Sequence, residues 1–345
     1  MSNWDNIVGH SWAVDMLASG LANGRLGHAY LFTGPEQVGK TTLARTFAQA
    51  LNCEAPEAER PCDHCRPCKL IAIDRHPDVK LVTPEVSGRG KLTLKIETIR
   101  QLQQDLNLSA YEARYKVAIL ERFDAATIGA ANAFLKTLEE PPGKVILLLT
   151  ATDADMLLPT IASRCRTLNL RPLPPDLIEQ SLATRWKVPA EKATLLAHLA
   201  DGRLGWAIQG AQDETILQIR AEHLAQLHDA LAGRRAHRFA LADKLSRKPE
   251  ALPDVLKTWL SWWRDLTLLN QRRGQPVNLI LTNVDQVERL EPLAATWAEQ
   301  QINASLNQTN DALWQLERNA NTRLVLENLL LVYPIPESAS AFREK

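Results

Sequence analysis

Eight residues, Gly34-Pro35-Glu36-Gln37-Val38-Gly39-Lys40-Thr41, have the types and spacing G-x-x-x-x-G-K-T. Glycines at both ends let the backbone turn several N–H groups toward one point, and a helix that starts there adds the positive end of its dipole. Such a loop binds an anion. Lys40 can reach the β- and γ-phosphates of a nucleotide, and the Thr41 hydroxyl, with Thr42 beside it, can serve a magnesium ion. The competing reading, a chance Gly/Lys loop, is disfavoured by the context. His28-Ala-Tyr-Leu-Phe-Thr33 supplies an apolar strand before the loop, and Thr41–Leu51 reads as a helix after it.

A second group is made of thiols. Cys53, Cys62, Cys65 and Cys68 are spaced C-x8-C-x2-C-x2-C. A C-x2-C pair places two thiolates on one metal, and two more complete a tetrahedron, so this spacing predicts a closed structural zinc site. An iron–sulfur cluster is the alternative metal reading. The residues before Trp4 and just after it lack a signal-peptide pattern, so a reducing cytoplasmic setting is expected, and disulfides are disfavoured. His64 lies inside the knuckle, where four cysteines leave it an exposed loop residue rather than a ligand. The fifth cysteine, Cys165, lies far along the chain with no base beside it and reads as a packed thiol.

These groups need a frame, and 345 residues are enough for two or three domains. The 40 Lys and Arg balance the 40 Asp and Glu, so no global basic field advertises a nucleic acid. No apolar run reaches the roughly 18 residues of a membrane span. Trp4–Asn23 reads as a helical lead-in, with Ile7-Val8-Gly9-His10 as a turn before a helix over Trp12–Leu21. Val79–Val82 reads as a short strand, and Val117–Leu120 and Val145–Leu149 read as short buried strands. Ile96–Leu106 and Ala125–Glu139 read as helices, the second stopped by Pro141-Pro142-Gly143. Ser87-Gly88-Arg89-Gly90 reads as a flexible loop. Strands alternating with helices predict a parallel sheet covered on both faces.

Pro172, Pro174 and Pro175 mark a boundary, followed by short helices over Leu177–Trp186, Ala190–Ala200 and Gly205–Ala211. Helical periodicity continues from about Asp213 to the end. The expected organisation is an α/β nucleotide domain over 1–171 with a zinc module at about 53–68, a small helical lid over 172–212, and an all-helical domain over 213–345. Trp259, Trp262, Trp263, Trp297 and Trp314 are expected to pack between helices rather than stack on bases. Arg100 is expected on a solvated helix face.

The motifs also occur in a recognisable order. Ile7-Val8-Gly9-His10, the strand and phosphate loop, the four cysteines, His76-Pro77-Asp78, Ala131-Asn-Ala-Phe-Leu-Lys-Thr-Leu-Glu-Glu-Pro-Pro142 and Ser163-Arg164-Cys165 together resemble the bacterial clamp-loader branch of the AAA+ superfamily. The resemblance is strong from residue 1 to about 213 and weak beyond. It implies an AAA+ P-loop domain, a lid and a C-terminal collar. It also implies membership of a hetero-oligomeric ring with gamma/tau and delta subunits, acting on a sliding clamp and primed DNA.

Within that family, motor subunits end the strand at 116–120 in Asp-Glu, the Asp for the magnesium shell and the Glu to polarise water. Here Glu121-Arg122 stands instead. Glu121 is then a degenerate magnesium-side acid, and Arg122 cannot take a proton. Asp124 offers a carboxylate two residues farther on. The resemblance therefore implies a ring member that holds ATP or ADP with Mg2+ without reliable hydrolysis. An active gamma/tau-type motor is the first alternative, and a P-loop phosphotransferase the second. In Gly202-Arg203-Leu204-Gly205-Trp206-Ala207 the family's sensor arginine aligns with Trp206, although Arg203 is close. Thr150 or Thr152 is the polar strand-end sensor, or simply a strand-end threonine. Arg164 is implied as an arginine finger reaching a neighbouring subunit's ATP, with a surface salt bridge as the competing role.

Overall fold

The structure, a computed structural model, describes residues 4–86, 92–272, 280–318 and 320–335; the loop expected at Ser87-Gly88-Arg89-Gly90 lies outside them. The chain divides into two compact units, one of Met1–Ser181 with Gly202–Gly205, the other of Leu182–Asp201 with Trp206–Lys345.

The first unit is built on strands β1 (Ala29–Thr33), β2 (Val79–Val82), β5 (Lys116–Leu120), β6 (Val145–Thr150) and β7 (Arg166–Asn169), with a two-stranded β3 (Glu85–Val86) and β4 (Leu92–Thr93) beside them in sequence. The five strands are all parallel, in the order β2-β5-β6-β1-β7. Parallel order requires crossover helices on the faces. They are α1 (Ser11–Ala22), α2 (Lys40–Asn52), α3 (Arg66–Ala72), α4 (Ile96–Asn107) and α5 (Ile128–Glu139), followed by the single turn α6 (Pro159–Ala162). The period of two is visible in which core each strand residue joins. Tyr30, Phe32, Val117, Ile119, Ile146 and Leu148 enter one core with residues of α1 and α2. Their neighbours Leu31, Ala118, Leu120, Leu147 and Leu149 enter the other with residues of α4 and α5. Because both faces are covered, β1 and β6 are buried at every position.

Two details depart from the sequence expectation. The helix expected from Ala125 starts at Ile128, because Phe123–Ala125 forms a separate 3-10 turn and the Thr127 hydroxyl caps the helix by accepting from Ala130 N at 3.1 Å. Strand β7 was not anticipated. Only Leu168 of its four residues is buried, as suits a sheet edge, and that leaves no apolar pattern to find.

The division between the units passes inside α7 (Pro175–Arg185) and again inside α9 (Leu204–Gln212), with α8 (Ala190–Leu199) between them. The second unit continues through α10 (Thr215–Ala232), α11 (Arg235–Ser246), α12 (Leu252–Arg272), α13 (Val287–Thr296), α14 (Glu299–Glu317) and α15 (Thr322–Val332). Its core centres on α12, where Trp259, Trp262 and Trp263 are fully buried. Trp263 stacks on Trp297 at 5.8 Å and lies 5.0 Å from the ring of Tyr333. Trp314 departs from the expected packing role. It is 52% exposed, and the Arg318 guanidinium lies 3.6 Å over its ring, a surface cation–π pair in place of core packing.

Buried polar groups tie this unit together. Arg238 donates to the carbonyls of Ala230, Gly233, Leu330, Tyr333 and Pro334, so one guanidinium closes the C-terminal ends of two helices. Asp265 accepts from the backbone of Thr282 and Asn283 and from the Asn283 amide. Among the described residues no helix is long and apolar enough to cross a membrane.

Candidate nucleotide and metal sites

The phosphate loop joins β1 to α2, and its two glycines are required for different reasons. Gly34 has φ 134°, and a Cβ there would lie 2.1 Å from the Leu170 carbonyl oxygen, so no side chain fits between the loop and the end of β7. Gly39 has open space around it but φ 112°, a backbone state that other residues rarely adopt. Gly34 N donates to Thr152 O at 3.1 Å, which ties the loop to the end of β6. Two further segments of this unit brace it. The His10 ring contacts the Val38 carbonyl at 3.3 Å, and Gly205 N donates to Gln37 O at 2.9 Å. The Ile7–His10 motif and the end of the Gly202–Gly205 segment thus meet the loop through its backbone. The Gly205 contact was not legible from the sequence.

Lys40 is 8% exposed, and its ammonium donates to the Gly34 and Pro35 carbonyls at 2.6 Å each. Burial pulls its pKa down to about 8, against the opposing pull of the Asp124 and Glu36 carboxylates, while Arg122 adds to the lowering. Thr41 is half-buried and Thr42 exposed in the first turn of α2.

At the end of β5, Glu121 N still pairs with Val82 O, and Glu121 is half-buried. The chain then turns sharply. Arg122 sits in the left-handed region at φ 46°, and its N–H donates to the Thr150 hydroxyl at 3.0 Å. That turn and the following 3-10 turn carry Asp124 back toward the strand end, where the Thr152 hydroxyl donates to Asp124 Oδ2 at 3.2 Å. The carboxylates that act on Lys40 are therefore Asp124 and Glu36. Thr150 and Thr152 both hold this turn, one through the Arg122 backbone and the other through the Asp124 side chain. Asp124 Oδ1 is buried without a hydrogen-bond partner, a cost that a cation at this point would remove. A glycine-bounded loop, a buried lysine and an orphaned carboxylate oxygen fit a nucleotide's phosphates and their divalent ion. Arg122 points its guanidinium to Glu36, Nη1 to Oε1 3.0 Å.

The four cysteines come together as their spacing predicts. The sulfurs of Cys53, Cys62, Cys65 and Cys68 all lie within 4.8 Å of one another, with Cys65 Sγ 3.9 Å from Cys53 Sγ. Four thiolates about 2.3 Å from one zinc ion would lie roughly 3.8 Å apart, so the cluster can hold a metal ion with small adjustment. Burial opposes ionisation of Cys62, but the backbone N–H groups of Cys65 and His64 and the neighbouring thiols bring it down to about 7. His64 is exposed, its ring bonded to the Cys62 carbonyl, and stands outside the sulfur cluster. Cys165 packs partly against the core, and burial pushes its thiol up to about 12, which suits an unreactive side chain.

The His76-Pro77-Asp78 motif has a physical reason. Asp78 is 4% exposed and accepts from the backbone N–H groups of Tyr111, Glu112 and Ala113 at 2.8, 2.9 and 2.9 Å. His76 Nδ1 accepts from Asp78 N, and Glu112 pairs with Arg66 at the start of α3. The motif therefore clamps the turn between α4 and β5. Burial alone would raise the Asp78 pKa, but the three donors and His76 lower it overall. We expect Asp78→Ala to destabilise the fold by about 3 kcal/mol in urea unfolding near neutral pH. A lowered folded pKa means that the contribution is complete above the ordinary value of 3.8 and is lost as pH falls through the lower folded value. The gap between wild type and variant should close in that acid window; a gap that persists unchanged there would assign the effect to packing.

Arg164 follows α6. Its Nη2 lies 2.7 Å from Glu139 Oε1 and its Nη1 donates to Thr160 O at 2.8 Å, and its side chain is 36% exposed. The Leu138-Glu139-Glu140-Pro141-Pro142 and Ser163-Arg164-Cys165 motifs, far apart in sequence, are thus joined by one ion pair. Arg100 is exposed on α4.

A family model described as DNA polymerase III, delta subunit, matches residues 9–174, and one described as DNA polymerase III, delta subunit, C terminal, matches residues 214–333. The chain is 31% identical to DNA polymerase III subunit delta prime of Bacillus subtilis over 92% of its own length and 94% of that protein. It is 37% identical to DNA polymerase III subunit tau/gamma of Haemophilus influenzae over 58% of its own length and 29% of that protein. Among solved structures, a DNA polymerase III gamma subunit-related protein of Thermotoga maritima matches with a TM-score of 0.45 and 20% identity, over 93% of this chain and 97% of that one.

Proposed function

The chain belongs to the DNA polymerase III subunit delta prime family, and from that premise we propose that it is the largely non-hydrolysing wall of a clamp-loader ring in DNA replication. The observation that carries this reading is Arg122. It occupies the strand end where a hydrolysing subunit needs a carboxylate to polarise water, and a guanidinium does not accept a proton. The left-handed backbone at Arg122 and its bond to Thr150 fix it there. No neighbouring residue takes over the base role in this reading, since Asp124 is committed to Thr152 and to the field around Lys40.

In the same reading the Gly34–Thr41 loop and Lys40 hold the phosphates of ATP or ADP. Thr41 and Asp124, with Glu121 at the same strand end, serve Mg2+, which supplies charge neutralisation. The four cysteines hold Zn2+ as a structural ion. Residues 172–212 act as the lid and 213–345 as the collar that joins gamma/tau and delta partners. Arg164 is presented to a neighbouring motor subunit. The assembled ring, and through it this chain, acts on the sliding clamp and primed DNA.

The test is co-purification with gamma/tau and delta subunits and sliding clamp, followed by ATPase measurement with and without this chain. The chain alone is expected to show negligible turnover, unchanged by Lys40→Ala. Motor-like turnover that Lys40→Ala abolishes would favour the active-motor reading instead.

A further inference from the structure

The phosphate-loop pattern leaves its third position open, and here that position carries a charge of the wrong sign for its ligand. Glu36 places a carboxylate on the loop, near enough to Lys40 to help keep it protonated. The same carboxylate takes Arg122 Nη1 at 3.0 Å, with the two side chains 39% and 40% exposed. Lys40 meanwhile donates to two loop carbonyls. Both cations that face this loop thus have partners within the chain. One donor does not: Arg122 Nε is buried and has no acceptor. An Arg fork with an unfilled N–H beside a phosphate loop is suited to a phosphate oxygen.

We propose that Glu36 is a built-in competitor for phosphate at this loop, and that Arg122, once released from it, is a phosphate ligand. A nucleotide would take Arg122 from Glu36, fill the Nε–H, and still face the repulsion of the displaced carboxylate. The residue that removes the catalytic base would then also contribute to holding nucleotide, and Glu36 would set how tightly. The exposed ion pair itself is weak, so exchanging it is easy. The larger effect is one negative charge kept close to a polyphosphate, and its removal is worth about tenfold in affinity at the effective dielectric of a protein surface. This inference rests on the reading that the loop holds nucleotide phosphates; it concerns the isolated chain, and its outcome is independent of whether Arg164 acts on a neighbour.

The experiment is calorimetric titration of the purified chain with ADP, with and without Mg2+, for wild type, Glu36→Gln and Arg122→Gln. Both side chains are substantially exposed, and a thermal melt of each variant confirms folding. Glu36→Gln should bind ADP about tenfold more tightly than wild type. Arg122→Gln should bind more weakly than wild type, because the ligand is lost and the Glu36 charge is left uncompensated. Binding by wild type that Glu36→Gln leaves unchanged or weakens overturns the competitor role alone, whereas no binding by wild type or Glu36→Gln removes the nucleotide reading of the loop and this inference with it. Unchanged or tighter binding by Arg122→Gln overturns the ligand role, and tighter binding makes Arg122 a cover over the loop instead.

Discussion

Replacing Arg164 with alanine is expected to slow ATP hydrolysis at one site of the reconstituted ring by ~10³-fold or more while leaving this chain folded and assembled. The expectation follows from what the side chain can do and where it is held. A guanidinium presented to a γ-phosphate offsets charge that grows in the transition state. Arg164 is on the surface after α6, anchored by Glu139 and the Thr160 carbonyl. Those contacts set its direction without burying it. An exposed ion pair contributes about 0–1 kcal/mol to stability, so its loss does not threaten the fold. The whole-ring rate would fall less than the single-site rate if the other sites fire independently. Lysine is not an adequate replacement, because it lacks the planar fork. The measurement is DNA- and clamp-stimulated ATPase of rings containing wild-type or Arg164→Ala chain, with assembly verified by size-exclusion chromatography. Equal ATPase and equal clamp loading would reduce Arg164 to one half of a surface salt bridge.

How much of this was legible beforehand differs from element to element, for physical reasons. The buried strands Lys116–Leu120 and Val145–Thr150 announce themselves because both faces of a parallel sheet are covered, which leaves nearly continuous apolar runs, whereas Val79–Val82, at one edge with only Val79 buried, shows only as a short Val/Leu-rich stretch. The edge strand Arg166–Asn169 has one buried residue and no such run. The phosphate loop and the cysteine knuckle are legible because their chemistry fixes both residue type and spacing. What escaped was long-range. That Asp124 rather than a more direct neighbour of the strand lies in the field of Lys40 depends on Arg122 adopting φ 46°, a conformation that an arginine gives no sign of in sequence. The joining of Glu139 to Arg164, of Gly205 to Gln37 and of Asp78 to the turn at 111–113 likewise depends on tertiary placement. In each case the motif could be seen, but not its partner. Trp314 shows the converse limit: its spacing on a helix suits packing, yet the helix turns it to solvent under Arg318.

The cysteine cluster leads to the other large expected effect. Protein purified without added metal should contain about one zinc ion per chain, as one closed tetrahedral site requires. The sulfurs already lie within 4.8 Å of one another, so little rearrangement opposes binding. Structural zinc sites in small peptides bind with apparent free energies of about 10–16 kcal/mol at pH 7, so Cys68→Ala should abolish stoichiometric metal. The structural consequence should nonetheless be local. Cys53 follows α2 and Cys68 lies in α3; those helices contribute Leu51 and Ile71 to a core on one face of the sheet, but none of residues 53–68 belongs to either core. A chelator that removes the ion should therefore raise amide exchange over residues 53–68 and leave β1, β5 and β6 protected. Thiol ionisation couples to this. Cys62 is poised near pH 7, whereas burial raises Cys53 and Cys68. Metal uptake must displace protons from the latter two, so affinity should rise with pH through the neutral range. Elemental analysis, chelator titration at several pH values and hydrogen exchange read out these expectations separately. Iron with visible charge-transfer absorption would replace zinc by a cluster, and four free thiols with unchanged exchange after chelation would remove the metal site altogether.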